Sequence, residues 1–192
     1  MANIRTFIAV ELPDEAKREI GNIQDHFANK DFPLAFPKKG ILHLTLAFLD
    51  DVEETRLPNI IKTVSESSKG IRSFSLEFSS LGAFPNFKLP KVVWLGLGGE
   101  VDKLKNLERK LKDELQKEKF DSDEQKFVPH ITIARVKTYS NKVVRRRLGE
   151  EVQRYGKPNP VKIPCSEISI FKSTPTRAGY VHEILTKIPL QK

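Results

Sequence analysis

Residues 43–49 read His-Leu-Thr-Leu-Ala-Phe-Leu, and residues 130–136 read His-Ile-Thr-Ile-Ala-Arg-Val. Side chains two apart on a β-strand share a face. His43 and Thr45 therefore project one way and Leu44 and Leu46 the other; His130 and Thr132 stand likewise against Ile131 and Ile133. Each strand so read fixes an apolar face in a core and presents an imidazole beside a hydroxyl. The chain has only 4 histidines, and two of them open this pattern, which makes accident a poor account of the pair.

The surroundings repeat as well. Ahead of the first motif lie a β-rich strand at 5–11 and a helix at 13–28 striped by Ile20, Ile23 and Phe27; a second helix is expected over 52–68. Ahead of the second motif lie a strand at 91–97 and a helix at 100–118, where Val101, Leu104, Leu107, Leu111 and Leu115 fall on one side at helical spacing. The motif strand at 127–137 and a basic helix at 141–154 follow. Two strand-helix-strand-helix runs point to an internal duplication. Further strands are expected at 74–81, 161–171 and 180–187. If the units pack about a pseudo-twofold axis, both polar faces line one cleft.

The 192 residues are 39% hydrophobic and 30% charged, the composition of a soluble globular protein. With no low-complexity linker, residues 1–192 read as a single two-lobed domain. The longest apolar runs fall short of a membrane span, there is no signal-peptide layout, and one cysteine excludes an internal disulfide framework. A cytoplasmic protein is the expectation. The net charge of +8 favours an anionic partner, nucleic acid first. Nothing in the sequence sets the oligomeric state, for which a monomer is the default.

Two imidazoles facing each other suit in-line displacement at phosphorus. One, neutral, takes a proton from the attacking oxygen; the other, as imidazolium, gives one to the departing oxygen. The hydroxyls of Thr45 and Thr132 can donate to non-bridging oxygens as their charge grows. Neither a metal nor another cofactor is called for, and no zinc-ligand spacing occurs. The other reactive side chains are weaker candidates. His26 reads as a surface residue of the first helix, His182 as a strand residue, and Cys165 as an inert thiol; Gly96 to Gly99 make the turn into the long helix.

The duplicated motif resembles the signature of the two-histidine (2H) phosphoesterase superfamily. Residues 5–13 (RTFIAVELP) resemble that family's opening strand, residues 127–135 (FVPHITIAR) its second motif strand, and residues 169–173 (SIFKS) its late strand. The likeness extends over almost the whole chain and points to the RNA 2′,3′-cyclic phosphodiesterase branch, also named 2′-5′ RNA ligases. It implies an α+β fold of two pseudo-twofold-related lobes, each an antiparallel-rich sheet with outer helices, around a central cleft. It implies hydrolysis of RNA 2′,3′-cyclic phosphate ends to 2′-phosphates, with His43 as proton donor and His130 as proton acceptor. It further implies reverse 2′-5′ ligation of ends such as those of tRNA halves, and a substrate contact from Arg135. Spacing alone leaves the two proton roles open. Strict alternation puts Arg135 on the face opposite His130, so a bulge must re-aim it if it reaches the cleft. The run Arg145-Arg146-Arg147 is a candidate phosphate-backbone patch or simply a solvated face. Two alternatives stand beside this reading: action on a small cyclic phosphate such as ADP-ribose 1″,2″-cyclic phosphate, and a non-catalytic RNA-binding module.

Overall fold

The computed structural model describes residues 3–120, 126–177 and 179–192. Its elements run β1 (Asn3–Glu11), α1 (Asp14–Ala28), a short β2 (Leu34–Ala35), β3 (His43–Glu53), α2 (Leu57–Ser68), β4 (Phe74–Phe84), β5 (Val92–Gly99), α3 (Val101–Lys117), β6 (His130–Val136), α4 (Lys142–Tyr155), β7 (Lys162–Cys165), β8 (Glu167–Thr176) and β9 (Gly179–Pro189). The strands form two sheets, ordered β3-β1-β8-β9 and β2-β6-β5-β4-β7. Every pairing between these strands is antiparallel. No helix among the described residues is long and apolar enough to cross a membrane.

The two-lobed α+β architecture is the expected one, but the lobes are not the two halves of the chain. β3 pairs with β1 just as β6 pairs with β5. The next strand of each unit then crosses over: β4 lies beside β5, and β8 lies beside β1. The helices cross too, α1 packing against β6 and α3 against β3, while α2 packs on α3. Each motif strand is therefore backed by a helix from the other unit.

Two boundaries differ from expectation for physical reasons. The strand expected at 161–171 is two strands in different sheets, β7 beside β4 and β8 beside β1, divided at Ser166. The burial pattern carries the signal: Val161, Ile163 and Cys165 are buried, then Ile168 and Ile170, a change of phase. The helix expected from residue 52 begins only at Leu57, because β3 runs on to Glu53 through a register shift opposite Thr6 and Phe7. That start leaves Pro58 in the first turn, where its missing N–H costs no hydrogen bond.

The core lies between helices and sheets. Leu104, Leu107, Leu111 and Leu115 of α3 and Ile20, Ile23 and Phe27 of α1 are all fully buried. Such side chains contribute about 1.5–3 kcal/mol each, enough to hold the sheets that carry the motifs. Leu44, Ile131 and Ile133 are fully buried in the same core, as the apolar alternation requires.

Candidate active site

His43, Thr45, His130, Thr132 and Arg135 line one cavity of about 420 Å³ between the two sheets. The imidazoles are held alike. His43 Nδ1 donates to the carbonyl of Ile41 at 2.7 Å, and His130 Nδ1 donates to that of Val128 at 2.8 Å. Because a carbonyl has no proton to give, Nδ1 carries the hydrogen in each ring. Nε2, on the opposite edge, then carries no hydrogen in the neutral ring and can accept one.

The packing behind the two rings differs. His43 rests on Phe7 (centroids 4.6 Å apart), which is stacked in turn on Phe171 at 4.8 Å. His130 stands edge-on to Phe84 at 5.0 Å and lies near Trp94 at 6.1 Å. The Trp94 ring covers Gly82, where an added Cβ would fall 2.2 Å from the indole; only glycine leaves room for it.

A bulge brings Arg135 to the cavity. Along β6 and β5 the pairs run Trp94 with Thr132, then Val93 with Ala134, so Ile133 is the extra residue. Ile133 and Ala134 are both fully buried, and alternation resumes with Arg135 on the side of His130 and Thr132. The first motif bulges at the same place. Ala9 pairs with Thr45 and Ile8 with Ala47, so Leu46 is extra, and Phe48 reaches the cavity as Arg135 does. Gln24 of α1, itself buried, braces the second bulge: its Nε2 donates to the carbonyls of Ile133 at 3.1 Å and Pro37 at 3.0 Å.

Burial pushes the His43 imidazole down to about 4, opposed by its bond to Ile41 and assisted by the His182 and His130 rings. His130 is also held below its ordinary value, first by burial and then by the Arg135 guanidinium, against the pull of its bond to Val128. Both rings are thus neutral in the empty cavity near pH 7.

The far wall of the cavity was not legible as site. Arg5, Phe7, Ser173, Tyr180 and His182 line it. His182, read from sequence as an ordinary strand residue, stands edge-on to His43 at 5.3 Å and to Phe7 at 4.8 Å. Arg5 lies over Tyr180 (5.5 Å to the ring centroid) and bonds its hydroxyl. Phe48 and Arg135 share the sixth place of the two motifs, a signal that could have marked Phe48. The others come from β1, β8 and β9, whose aromatic residues read as core.

Other singled-out residues lie elsewhere. His26 is not free on the surface but bridges α1 to α4, 3.0 Å from Glu151. Arg145, Arg146 and Arg147 do not line this cavity. Burial pushes the Cys165 thiol up to about 12, so no thiolate forms. The lining combines imidazoles, hydroxyls and guanidinium groups with no carboxylate, a set suited to a phosphate anion. Among the described residues, no cluster of His, Cys, Asp or Glu is placed to hold a metal ion.

A two-lobed fold with paired H-x-T strands facing one cavity defines a 2H phosphoesterase. The sequence model of the 2′-5′ RNA ligase superfamily matches residues 12–175; the chain belongs to that family. An RNA 2′,3′-cyclic phosphodiesterase of Thermotoga maritima is 33% identical over 95% of this chain and 93% of its own length. Another, of Methanocaldococcus jannaschii, is 29% identical over 95% and 98%. Among solved structures, a Thermus thermophilus protein matches with a TM-score of 0.77 at 23% identity, covering 98% of each chain. E. coli LigT complexed with 3′-AMP matches with 0.76 at 21%, covering all of both.

Proposed function

We propose that this chain, a phosphodiesterase by its family, hydrolyses 2′,3′-cyclic phosphodiester ends of RNA to 2′-phosphomonoesters, using His43 and His130 and no metal ion. The observation that carries the reading is the meeting of both imidazoles, both hydroxyls and Arg135 in one carboxylate-free cavity. The relatives' shared name supplies the substrate.

In the forward step His130 Nε2 takes a proton from water as its oxygen bonds to phosphorus. The bond to the 3′-oxygen breaks, and His43 Nε2 supplies that oxygen with a proton. Thr45, Thr132 and Arg135 stabilise the charge growing on the non-bridging oxygens. A donor must be protonated, yet burial leaves His43 neutral in the empty site. The substrate's negative charge favours an imidazolium beside it, so a proton enters with the substrate. The Arg135 charge opposes that proton on His130, whereas the charges acting on His43 are those of other imidazoles. His43 is assigned as donor and His130 as acceptor on the resemblance to the two-histidine phosphoesterases.

The test is turnover of an RNA ending in a 2′,3′-cyclic phosphate, in excess EDTA, with product identification. A 2′-phosphate at undiminished rate is expected. A 3′-phosphate would reverse the leaving oxygen, and loss of activity restored by a divalent ion would overturn the metal-free chemistry.

A further inference from the structure

The two motif strands lead out of the cavity into opposite charge. Seven places after His43 stands Asp50, the first of the exposed acids Asp50, Asp51, Glu53 and Glu54. Seven places after His130 stands Lys137, and residues 135–147 hold 6 lysines or arginines and no acidic residue. At the first exit the nearby cation, Arg5, is itself held by Asp50 at 3.5 Å. At the second, none of Lys137, Lys142, Arg145, Arg146 and Arg147 forms an ion pair among the described residues. A basic run on a helix is ordinarily a solvated face, but this one begins at a guanidinium inside the cavity.

The course of the chain makes it continuous. Arg135 lines the cavity. The Lys137 N–H donates to the Pro33 carbonyl at 2.8 Å, which carries the pairing of β6 with β2 one step past Val136. By alternation Lys137 stands on the side of Arg135. Its Nζ lies over the Tyr139 ring, 6.0 Å from the centroid, and Tyr139 is 74% exposed. α4 then starts at Lys142, with Lys142, Arg146 and Arg147 all exposed.

We propose that the RNA strand bearing the cyclic end runs out of the cavity over this β6–α4 junction. One of the bases preceding the end stacks on Tyr139, and the phosphates between them meet Lys137, Lys142 and Arg146. This surface, which depends on the phosphodiesterase reading above for its ligand, distinguishes an RNA strand from a mononucleotide. The chemistry selects the occupant. An exposed aromatic face among unpaired cations suits single-stranded nucleic acid, whose bases stack whatever their sequence and whose phosphates release counterions on meeting lysine and arginine. The acids that follow the first motif repel the same strand over roughly 8 Å of solvent at physiological salt. The strand is thereby directed to the second exit.

The test compares the hydrolysis of adenosine 2′,3′-cyclic phosphate with that of a short oligoadenylate ending in the same group. At about 50 mM salt the KM of the oligonucleotide is expected to be at least ~10-fold the lower of the two, and that advantage should shrink several-fold by about 200 mM. Tyr139→Ala and Arg146→Glu are each expected to raise the oligonucleotide KM about fivefold or more. Tyr139→Phe, which keeps the aromatic face, should leave it within about twofold. So should Lys62→Glu, the same change of charge on the exposed side of α2. In all four variants kcat and the mononucleotide KM should stay within about twofold. Equal KM for the two substrates in the unmutated protein would overturn the proposal without any variant having to fold. A KM that rises alike with Arg146→Glu and Lys62→Glu would also overturn it, because the net charge and no particular path would then attract the strand. Turnover of neither substrate would instead strike the parent reading.

Discussion

β3 and β6 carry nearly the same seven residues and the same bulge, yet their settings differ in three ways. The sixth motif residue is Phe48 in one and Arg135 in the other. His43 lies on a bed of phenylalanine and is pushed down to about 4, while His130 has Phe84, Trp94 and a guanidinium about it. β6 is covered by β2, whereas β3 is an outermost strand. Duplication supplies a symmetric pair of acid–base groups, and the flanking residues make the two sides unequal. Under the proposed mechanism that inequality suits a phosphodiester, since one oxygen enters and a different one leaves.

The largest effects belong to what the strands share. Replacing His43 or His130 by Ala is expected to lower kcat/KM for cyclic-ended RNA by on the order of 10²–10⁴-fold. Combining the two should cost far less than the product of the single losses, because groups acting as a unit are not additive. A double variant with full activity would remove both histidines from the chemistry.

The next effect belongs to what they do not share. Arg135→Phe makes β6 repeat β3 at the sixth position and is expected to cost about 10²-fold in kcat, as loss of a charge-stabilising donor does. Adding Phe48→Arg should not restore the rate, since that guanidinium would approach from the other strand. Recovery in the double variant would make the two strands interchangeable and break the comparison.

These residues also mark how far the sequence could be read. The paired imidazoles, the apolar backs of both strands and the stripes of α1 and α3 are visible in spacing alone, because periods of 2 and 3.6 survive in the residue order. The crossing of β4 and β8 between sheets is not, because strand partners are a long-range property. Only the phase change from Cys165 to Ile168 betrays the division of that segment. The re-aiming of Arg135 needs a bulge at Ile133, which no residue type there announces. Its brace, Gln24, lies 109 positions away on a helix of the other unit. Phe7 and His182 were missed because an aromatic or a lone histidine in a strand reads as packing until its neighbours are known.

Gln24 sharpens the comparison from the side of β6, where its carboxamide holds the bulge. Gln24→Leu leaves the carbonyls of Ile133 and Pro37 without these donors, at a cost of about 1–3 kcal/mol in stability. With the bulge loosened, Arg135 is misplaced while both imidazoles keep their backbone bonds. Activity on cyclic-ended RNA should fall roughly tenfold, and the pH dependence of kcat should be unchanged. A variant that loses stability but no activity would show that the bulge holds without its brace.

The smallest effect separates the two imidazoles through stability. Each has a folded-state pKa below its ordinary value, His43 at about 4 against 6.5 and His130 displaced in the same direction. The folded protein therefore binds fewer protons than the unfolded chain once pH falls below about 6.5. Stability is full above that value, declines on acidification toward pH 4, and loses nothing further to His43 below it. Both rings line an open cavity, and solvent screening there reduces the contribution of His43 to on the order of 1 kcal/mol. That corresponds to a Tm change of roughly 2–4 °C between pH 6.5 and 4. His43→Phe should flatten this part of the Tm profile, and His130→Phe should flatten it less, because the phenylalanine bed under His43 excludes more water. Equal flattening by the two variants would mean that the rings feel the same burial, and the inequality of the two strands would then rest on Arg135 and the open edge of β3.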